Sequence, residues 1–344
     1  MNRARKRLFI AAAVLTVVNG GLLAFVLSYS YGLDRTFFSI EHALRFYDTS
    51  TENQFDKLVL GDSSSAYGIM VRQIPNTVSL AIPSSTSVSS YSEFRRFKDR
   101  GKHAKCLIFY NSYIAQNLQR GLGDKYPRGG LFKPADLEKY LQPLVELAPS
   151  LQSIISSYRL HYYSGLSSLR QYHLRKALTP NHPGVAQFAT ILQDLSESGG
   201  YIRSKGQRRF FDPERHDYLL TEFQANPVED AAFHELLGLT RSENMRFVYV
   251  GIPVGVLPNE TRPQVYQKQH WQHVAENLNK HPHAKFLAPK MGGPLALTND
   301  DYLDLNHLNE DGARKYTEWL GSEIQSACEP PDGTTEDNHA SDPI

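Results

Sequence analysis

The sequence predicts an α/β protein: an open sheet of parallel strands, interrupted by a long helical insertion and preceded by one transmembrane helix. Three observations carry this reading. Short apolar runs end abruptly in small or polar residues, stretches with helical spacing alternate with them, and a twenty-residue apolar run follows a basic cluster at the N-terminus. Strand and helix in alternation argue for strands laid parallel, with the helices as crossovers.

The chain has 344 residues, 41% of them hydrophobic, with 37 Lys+Arg against 36 Asp+Glu. It can bury one substantial core or two small ones. A net charge of +1 supplies no basic field to grip a phosphate backbone, so nucleic acid is not an expected partner. Cys106 and Cys328 are too few for a disulfide scaffold and form no C-x-x-C pair, which leaves them either to pair with each other or to stay free. H-E-x-x-H is absent, and His270/His273 and His281/His283 lie in polar segments without neighbouring ligand sets. No metal and no cofactor are expected from this pattern.

Residues 1–7 (MNRARKR) form a basic segment ahead of Leu8–Leu27, an apolar run interrupted only by Thr16, Asn19 and the Gly20-Gly21 pair. About 20 apolar residues cross about 30 Å of hydrocarbon, and the basic flank stays cytoplasmic. Residues 8–30 are therefore expected to anchor the chain in the inner or plasma membrane, with everything after them extracytoplasmic, in the periplasm or at the cell surface. A cleaved secretory signal is the alternative. The exit Ser28-Tyr29-Ser30-Tyr31 offers no small-x-small cleavage site, and its tyrosines suit a membrane interface, which favours the uncleaved anchor.

After a juxtamembrane segment, 31–54, a domain is expected over 55–328. Phe55–Leu60 reads as a buried strand that stops at Gly61-Asp62-Ser63; Val78–Ile82, Cys106–Tyr110 and Phe247–Val250 behave alike, and Ala284–Leu287 adds a further strand. Ser89–Asp99 carries aromatics at helical spacing. Asn309–Ile324 reads as a last amphipathic helix, N-capped by Asn309, with Tyr316, Trp319 and Leu320 facing inward. The stretch 113–243 is too long for one crossover and is expected to form an insertion or lid, with helical segments at Asp136–Leu147 and Val228–Leu239. The tail 329–344 has almost no apolar content and is expected to be disordered.

In an open α/β sheet, ligands bind beyond the carboxyl ends of the strands, so the polar residues there are the first candidates for chemistry. They are Asp62-Ser63, Ser84-Ser85 and Asn111. A serine on a tight strand-to-helix turn is held exposed as a nucleophile, with backbone N–H groups nearby to receive an oxyanion; a simple turn or N-cap is the plainer reading of the same residues. A second feature lies just before the last helix, where Asp304 and His307 stand three apart on a loop. That spacing lets the carboxylate accept the imidazole Nδ1–H and leaves Nε2 to take a serine proton.

Together these segments resemble the SGNH (GDSL-like) hydrolase superfamily. Its first block is matched by Gly61-Asp62-Ser63 and its last, Asp-x-x-His, by Asp304-Leu305-Asn306-His307, in the family's order along the chain. Its asparagine block looks like Asn111, without the usual flanking glycine, and its second-block glycine is replaced by Ser84, whose peptide N–H is still a donor. The resemblance covers roughly 55–112 and 245–325. It implies a three-layer α/β/α, flavodoxin-like parallel sheet. The roles it implies are Ser63, Asp304 and His307 as catalytic triad, Asn111 and Ser84 as oxyanion-hole donors, and Asp62 as support for the turn.

Within the superfamily the chain is most similar to membrane-anchored proteins of polysaccharide O-acetylation, of the alginate acetylation kind, and of teichoic-acid D-alanylation; the phrase DLNHLNEDGARKY carries much of that similarity. The resemblance implies an acyl-Ser63 intermediate, an envelope polysaccharide acceptor and a membrane-bound O-acyltransferase as donor protein. A carbohydrate acetylesterase or lipase-like hydrolase is the alternative, and a catalytically silent glycan-binding or scaffold partner is a second. Tyr158, Tyr162 and Tyr163 stand either in a carbohydrate groove or in the core, and Arg203, Arg208 and Arg209 either contact an anionic glycan or form a solvated patch.

Overall fold

A computed structural model describes residues 16–17, 20–21, 35–116, 139, 142, 145–146, 152, 156, 177, 183–203, 223–255, 262–289 and 295–329. The expected anchor, 8–30, lies outside these apart from Thr16, Val17, Gly20 and Gly21, which are helical. Among the described residues no helix is long and apolar enough to cross a membrane. The segment Asp136–Leu147 lies largely outside the described residues. Tyr158, Tyr162, Tyr163, Arg208, Arg209 and the tail beyond Glu329 lie wholly outside them.

The described chain runs α1 (Arg35–Thr49), β1 (Gln54–Gly61), α2 (Ser63–Gly68), β2 (Thr77–Ser79), α3 (Ser87–Asp99), β3 (His103–Tyr110), α4 (Pro183–Glu197), α5 (Pro227–Ser242), β4 (Arg246–Val250), α6 (Arg262–Leu278), β5 (Ala284–Leu287) and α7 (Glu310–Cys328). The five strands form one sheet in the order β2-β1-β3-β4-β5, every pair parallel. Because side chains alternate across a strand, Phe247 and Tyr249 turn to one face, where Phe109 and the α5 residue Phe233 meet them. Their neighbours Val248 and Val250 turn to the other face, and α7 packs there. Helices thus cover both faces, and β1, β3 and β4 are buried from Leu58, Cys106 and Phe247 to their carboxyl ends.

Two elements depart from the sequence expectation. The second strand is shorter than Val78–Ile82: Leu80 and Ile82 still donate to Val59 O (2.9 Å) and Gly61 O (3.0 Å), but the turn at Pro83 bends the chain off the sheet edge. The segment 31–54, expected to hold no element, contains α1, which buries Phe38, Ile40, Ala43 and Tyr47 against the domain. Of the insertion, α5 is a crossover helix packed on α3 and β4, with Asn226 as N-cap and Pro227 opening it. The α4 helix packs instead on α1.

Cys106 on β3 and Cys328 at the end of α7 form a disulfide, 222 residues apart in sequence. A disulfide of this kind is typical of oxidising compartments and points to an extracytoplasmic location. A bridge that closes so long a loop removes much of the unfolded chain's freedom, about 2–5 kcal/mol in typical proteins. Replacing both cysteines by alanine is therefore expected to lower the urea midpoint by that equivalent, and an unchanged midpoint would show the bridge to be idle.

Candidate active site

The sheet order places β1 and β3 at the point where the chain reverses its direction of strand addition, and the crevice of such a sheet opens at their carboxyl ends. Gly61 ends β1 there with φ +138°, and a Cβ on it would lie 2.0 Å from Tyr110 O. Only glycine lets β1 turn this close to β3. Asp62 then caps α2: its Oδ1 accepts from Ser64 N (2.9 Å) and its Oδ2 from Ser112 N (2.7 Å), so one carboxylate ties the turn after β1 to the loop after β3. Burial raises the Asp62 pKa above the usual carboxylate value, against the pull of the Ser112 and Ser64 N–H groups. Ser63, the first residue of α2, is left part-exposed.

The other half comes from the loop before α7. Leu303 N–H donates to His307 O (2.8 Å) and Tyr302 bridges antiparallel to Leu308, which folds 303–307 into a small closed loop. Gly312 permits it to dock, since a Cβ there would lie 2.1 Å from Asp301 O. Within the loop, Asp304 Oδ1 accepts from the backbone N–H of Asn306 and His307, both at 3.0 Å, and both carboxylate oxygens lie 2.8 Å from His307 Nδ1. Burial works to raise the Asp304 pKa, but the His307 hydrogen bond and charge and the two backbone donors outweigh it, and the group ends below its ordinary value. His307 Nε2 lies 2.7 Å from Ser63 Oγ. Residues 244 apart in sequence thus complete a Ser63–His307–Asp304 relay in the order and spacing that nucleophilic serine chemistry needs.

No protein-family model matches this chain, and no curated protein does either.

The remaining candidates are placed differently from one another. Ser84 sits at the third position of a turn closed by Ser85 N–H on Ile82 O (2.8 Å), after Pro83, with φ +66°. This is the type II pattern, in which glycine is the usual occupant of that position. Among the described residues the N–H groups of Ser63 and Ser84 have no hydrogen-bond partner. Asn111 is fully buried, its amide lies between Ser87 and the Tyr110 carbonyl, and among the described residues no hydrogen bond joins it to Ser63 or His307. Arg203 pairs with Asp194 (3.3 Å).

Several contributors escaped the sequence reading. Tyr67 lies one turn after Ser63 on α2, and its ring centroid is 4.9 Å from that of His307, so it buttresses the imidazole. That i+4 spacing from the serine was the available signal. Ser64 Oγ donates to Asn306 O (3.2 Å) and Ile202 N–H to Ala66 O (2.8 Å), tying α2 to the histidine loop and to the insertion. His270 is buried with Nε2 2.8 Å from Gln116 Oε1, and the half-buried His273 has Nε2 2.9 Å from Asp230 Oδ1. Among the described residues no three His, Cys, Asp or Glu side chains gather in metal-binding geometry.

Glu229 of α5 caps α3, its Oε2 accepting from Ser87 N (2.6 Å) and Val88 N (3.3 Å). Burial pushes its pKa from 4.5 up to about 7, despite these hydrogen bonds. The folded state therefore holds this proton more tightly than the unfolded chain does. Between about pH 4.5 and 7 the contribution to stability falls as pH rises, by about 3 kcal/mol at most, and is flat above. Urea unfolding at pH 5 and pH 8 checks this. Glu229→Gln should gain on the wild type at pH 8 relative to pH 5, and the opposite order would show that the carboxylate carries no burial penalty.

Proposed function

We propose that this protein is an SGNH-type serine acyl-transfer enzyme, anchored in the membrane and facing the cell envelope, where it carries an acyl group, acetyl by preference, to an envelope polysaccharide or exopolysaccharide. One observation carries the reading: Ser63 Oγ, His307 and Asp304 stand in line at 2.7 and 2.8 Å, with the dyad's side chains 18% and 25% exposed, enough for a substrate to reach them. The parallel sheet with its switch point at β1 and β3 and the Gly61-Asp62-Ser63 and Asp304-x-x-His307 motifs support it. The disulfide supports the location.

In this reading His307, oriented by Asp304, takes the Ser63 proton as Oγ attacks the donor's carbonyl carbon. The carbonyl oxygen gains the negative charge and is met by the free N–H groups of Ser63 and Ser84, with Asn111 as the third donor. Collapse of the tetrahedral species leaves acyl-Ser63, and His307 returns the proton to the leaving group. A glycan hydroxyl, deprotonated by His307, then takes the acyl group and frees Ser63. The donor in the envelope is a membrane-bound O-acyltransferase, and the anchor over 8–30 keeps the two together.

The test follows the fate of the acyl group in the full-length protein in detergent. An activated acetyl ester should leave an acetyl adduct on Ser63, found by peptide mass spectrometry, and added envelope polysaccharide should discharge it faster than water does. Discharge by water alone at full rate would make the protein an esterase. No adduct on the folded protein would leave a scaffold.

A further inference from the structure

At the amino end of the sheet, the far end of β1 from Ser63, lies a cavity of about 370 Å³, within the size range of small-molecule sites. Phe55 and Thr77, at the starts of β1 and β2, line it together with α1, the short turn Val71–Gln73 and the end of α4. Three nitrogen-bearing side chains share its wall: His42 and Arg45, three apart on α1, and Arg72 on the turn. Their hydrogen bonds leave much of their donor capacity unspent. Arg45 Nε donates to Glu41 Oε1 (3.0 Å), and Arg72 donates from Nε to Glu197 O and from Nη2 to Ser196 O, each at 3.2 Å. Among the described residues both Arg45 Nη groups and Arg72 Nη1 have no hydrogen-bond partner, and neither does either ring nitrogen of the part-buried His42.

We propose that this cavity binds a small anionic ligand of monosaccharide size, a sugar acid or a sugar phosphate, whose oxyanion is gripped by Arg45 and Arg72 and by His42, which takes up a proton as the anion enters. Guanidinium N–H groups match the oxygens of a carboxylate or phosphate, and the polar side chains of Ser50, Asn76 and Thr77 on the same wall suit sugar hydroxyls. Burial, and after it the charges of Arg72 and Arg45, lower the His42 pKa from 6.5 to about 4, so the ring is neutral at pH 7 without a ligand. The other charged groups around it are Glu41, paired with Arg45, and Glu52, which lines the cavity from the loop before β1; the end of α4 contributes Ser196 and Gly199, neither of them charged. An anion beside the imidazole favours its charged form. If binding returns the His42 pKa from about 4 to its ordinary 6.5, affinity is about 30-fold higher at pH 5 than at pH 8. The site is independent of acyl transfer at Ser63, which stands beyond the other end of β1.

Isothermal titration calorimetry on the full-length protein in detergent tests it, with glucuronate, glucose 6-phosphate, inorganic phosphate and glucose as probes. Glucuronate or glucose 6-phosphate should bind and glucose should not, and whichever of the two binds more tightly names the oxyanion. Glucuronate stays largely ionised down to pH 5, so the rise in its affinity between pH 8 and pH 5 reports His42. Arg45→Gln, on the half-exposed side of α1, should weaken binding about tenfold or more, the worth of a charged hydrogen bond. His42→Gln should bind within about threefold of wild type at pH 8 and lose the gain at pH 5. Ser63→Ala should bind as wild type does, whereas a loss there would put the ligand in the catalytic crevice and overturn the site. Equal binding of glucose, binding of inorganic phosphate alone, full affinity in Arg45→Gln, or a pH dependence that survives His42→Gln would each overturn it as well.

Discussion

Ser63→Ala abolishes the acetyl adduct and lowers turnover of an activated ester by about 10⁵–10⁶-fold, the loss typical of removing the nucleophile from a serine triad. The fold should not notice the change. Ser63 is part-exposed at the first position of α2 and among the described residues its hydroxyl bonds only His307, whereas the cap of that helix is Asp62 and its tie to the histidine loop is Ser64. A circular dichroism spectrum and melting temperature within error of wild type are the control. His307→Ala is expected to cost about as much, and the double variant no more than either, because nucleophile and base act as one unit. Additive losses, or an adduct that persists on another residue, would sink the assignment of Ser63.

Asp304→Asn lowers kcat by about 10⁴-fold while leaving the loop in place. Two backbone N–H groups, those of Asn306 and His307, point at Oδ1 from 3.0 Å, so the amide of an asparagine keeps its oxygen there. Its NH₂ then occupies the Oδ2 position, 2.8 Å from His307 Nδ1, and donates where the carboxylate accepted. The imidazole answers by moving its proton to Nε2, the atom that must receive the Ser63 proton, and the base is blocked. The check is kcat for Ser63 acylation across pH, with the melting temperature alongside. A loss below tenfold would mean that Asp304 only braces the loop.

How much of this was legible in the sequence depends on whether the cause is local. The strands β1, β3, β4 and β5 are apolar runs that end in turn residues, and α7 announces itself by Asn309 ahead of an amphipathic pattern. The Gly61-Asp62-Ser63 turn and the Asp304–His307 loop are likewise local, since three residues suffice to cap a helix or to bring a carboxylate to the neighbouring imidazole. By contrast, α1 is held by tertiary burial of Phe38, Ile40, Ala43 and Tyr47, and the second strand is cut short by a turn whose left-handed residue is a serine rather than a glycine.

The sequence by itself determined the α/β class, most strand positions and the residue types of the relay, because each follows from periodicity or from contacts within a few residues. Only the tertiary structure decided the strand order, the Cys106–Cys328 pairing, the 2.7 Å approach of His307 to Ser63, the Tyr67 buttress and the burial of Asn111 against Ser87. Each joins groups from distant parts of the chain. Their partners are chosen by how the layers pack and by which buried donors and acceptors must be satisfied together, and no local pattern encodes that choice.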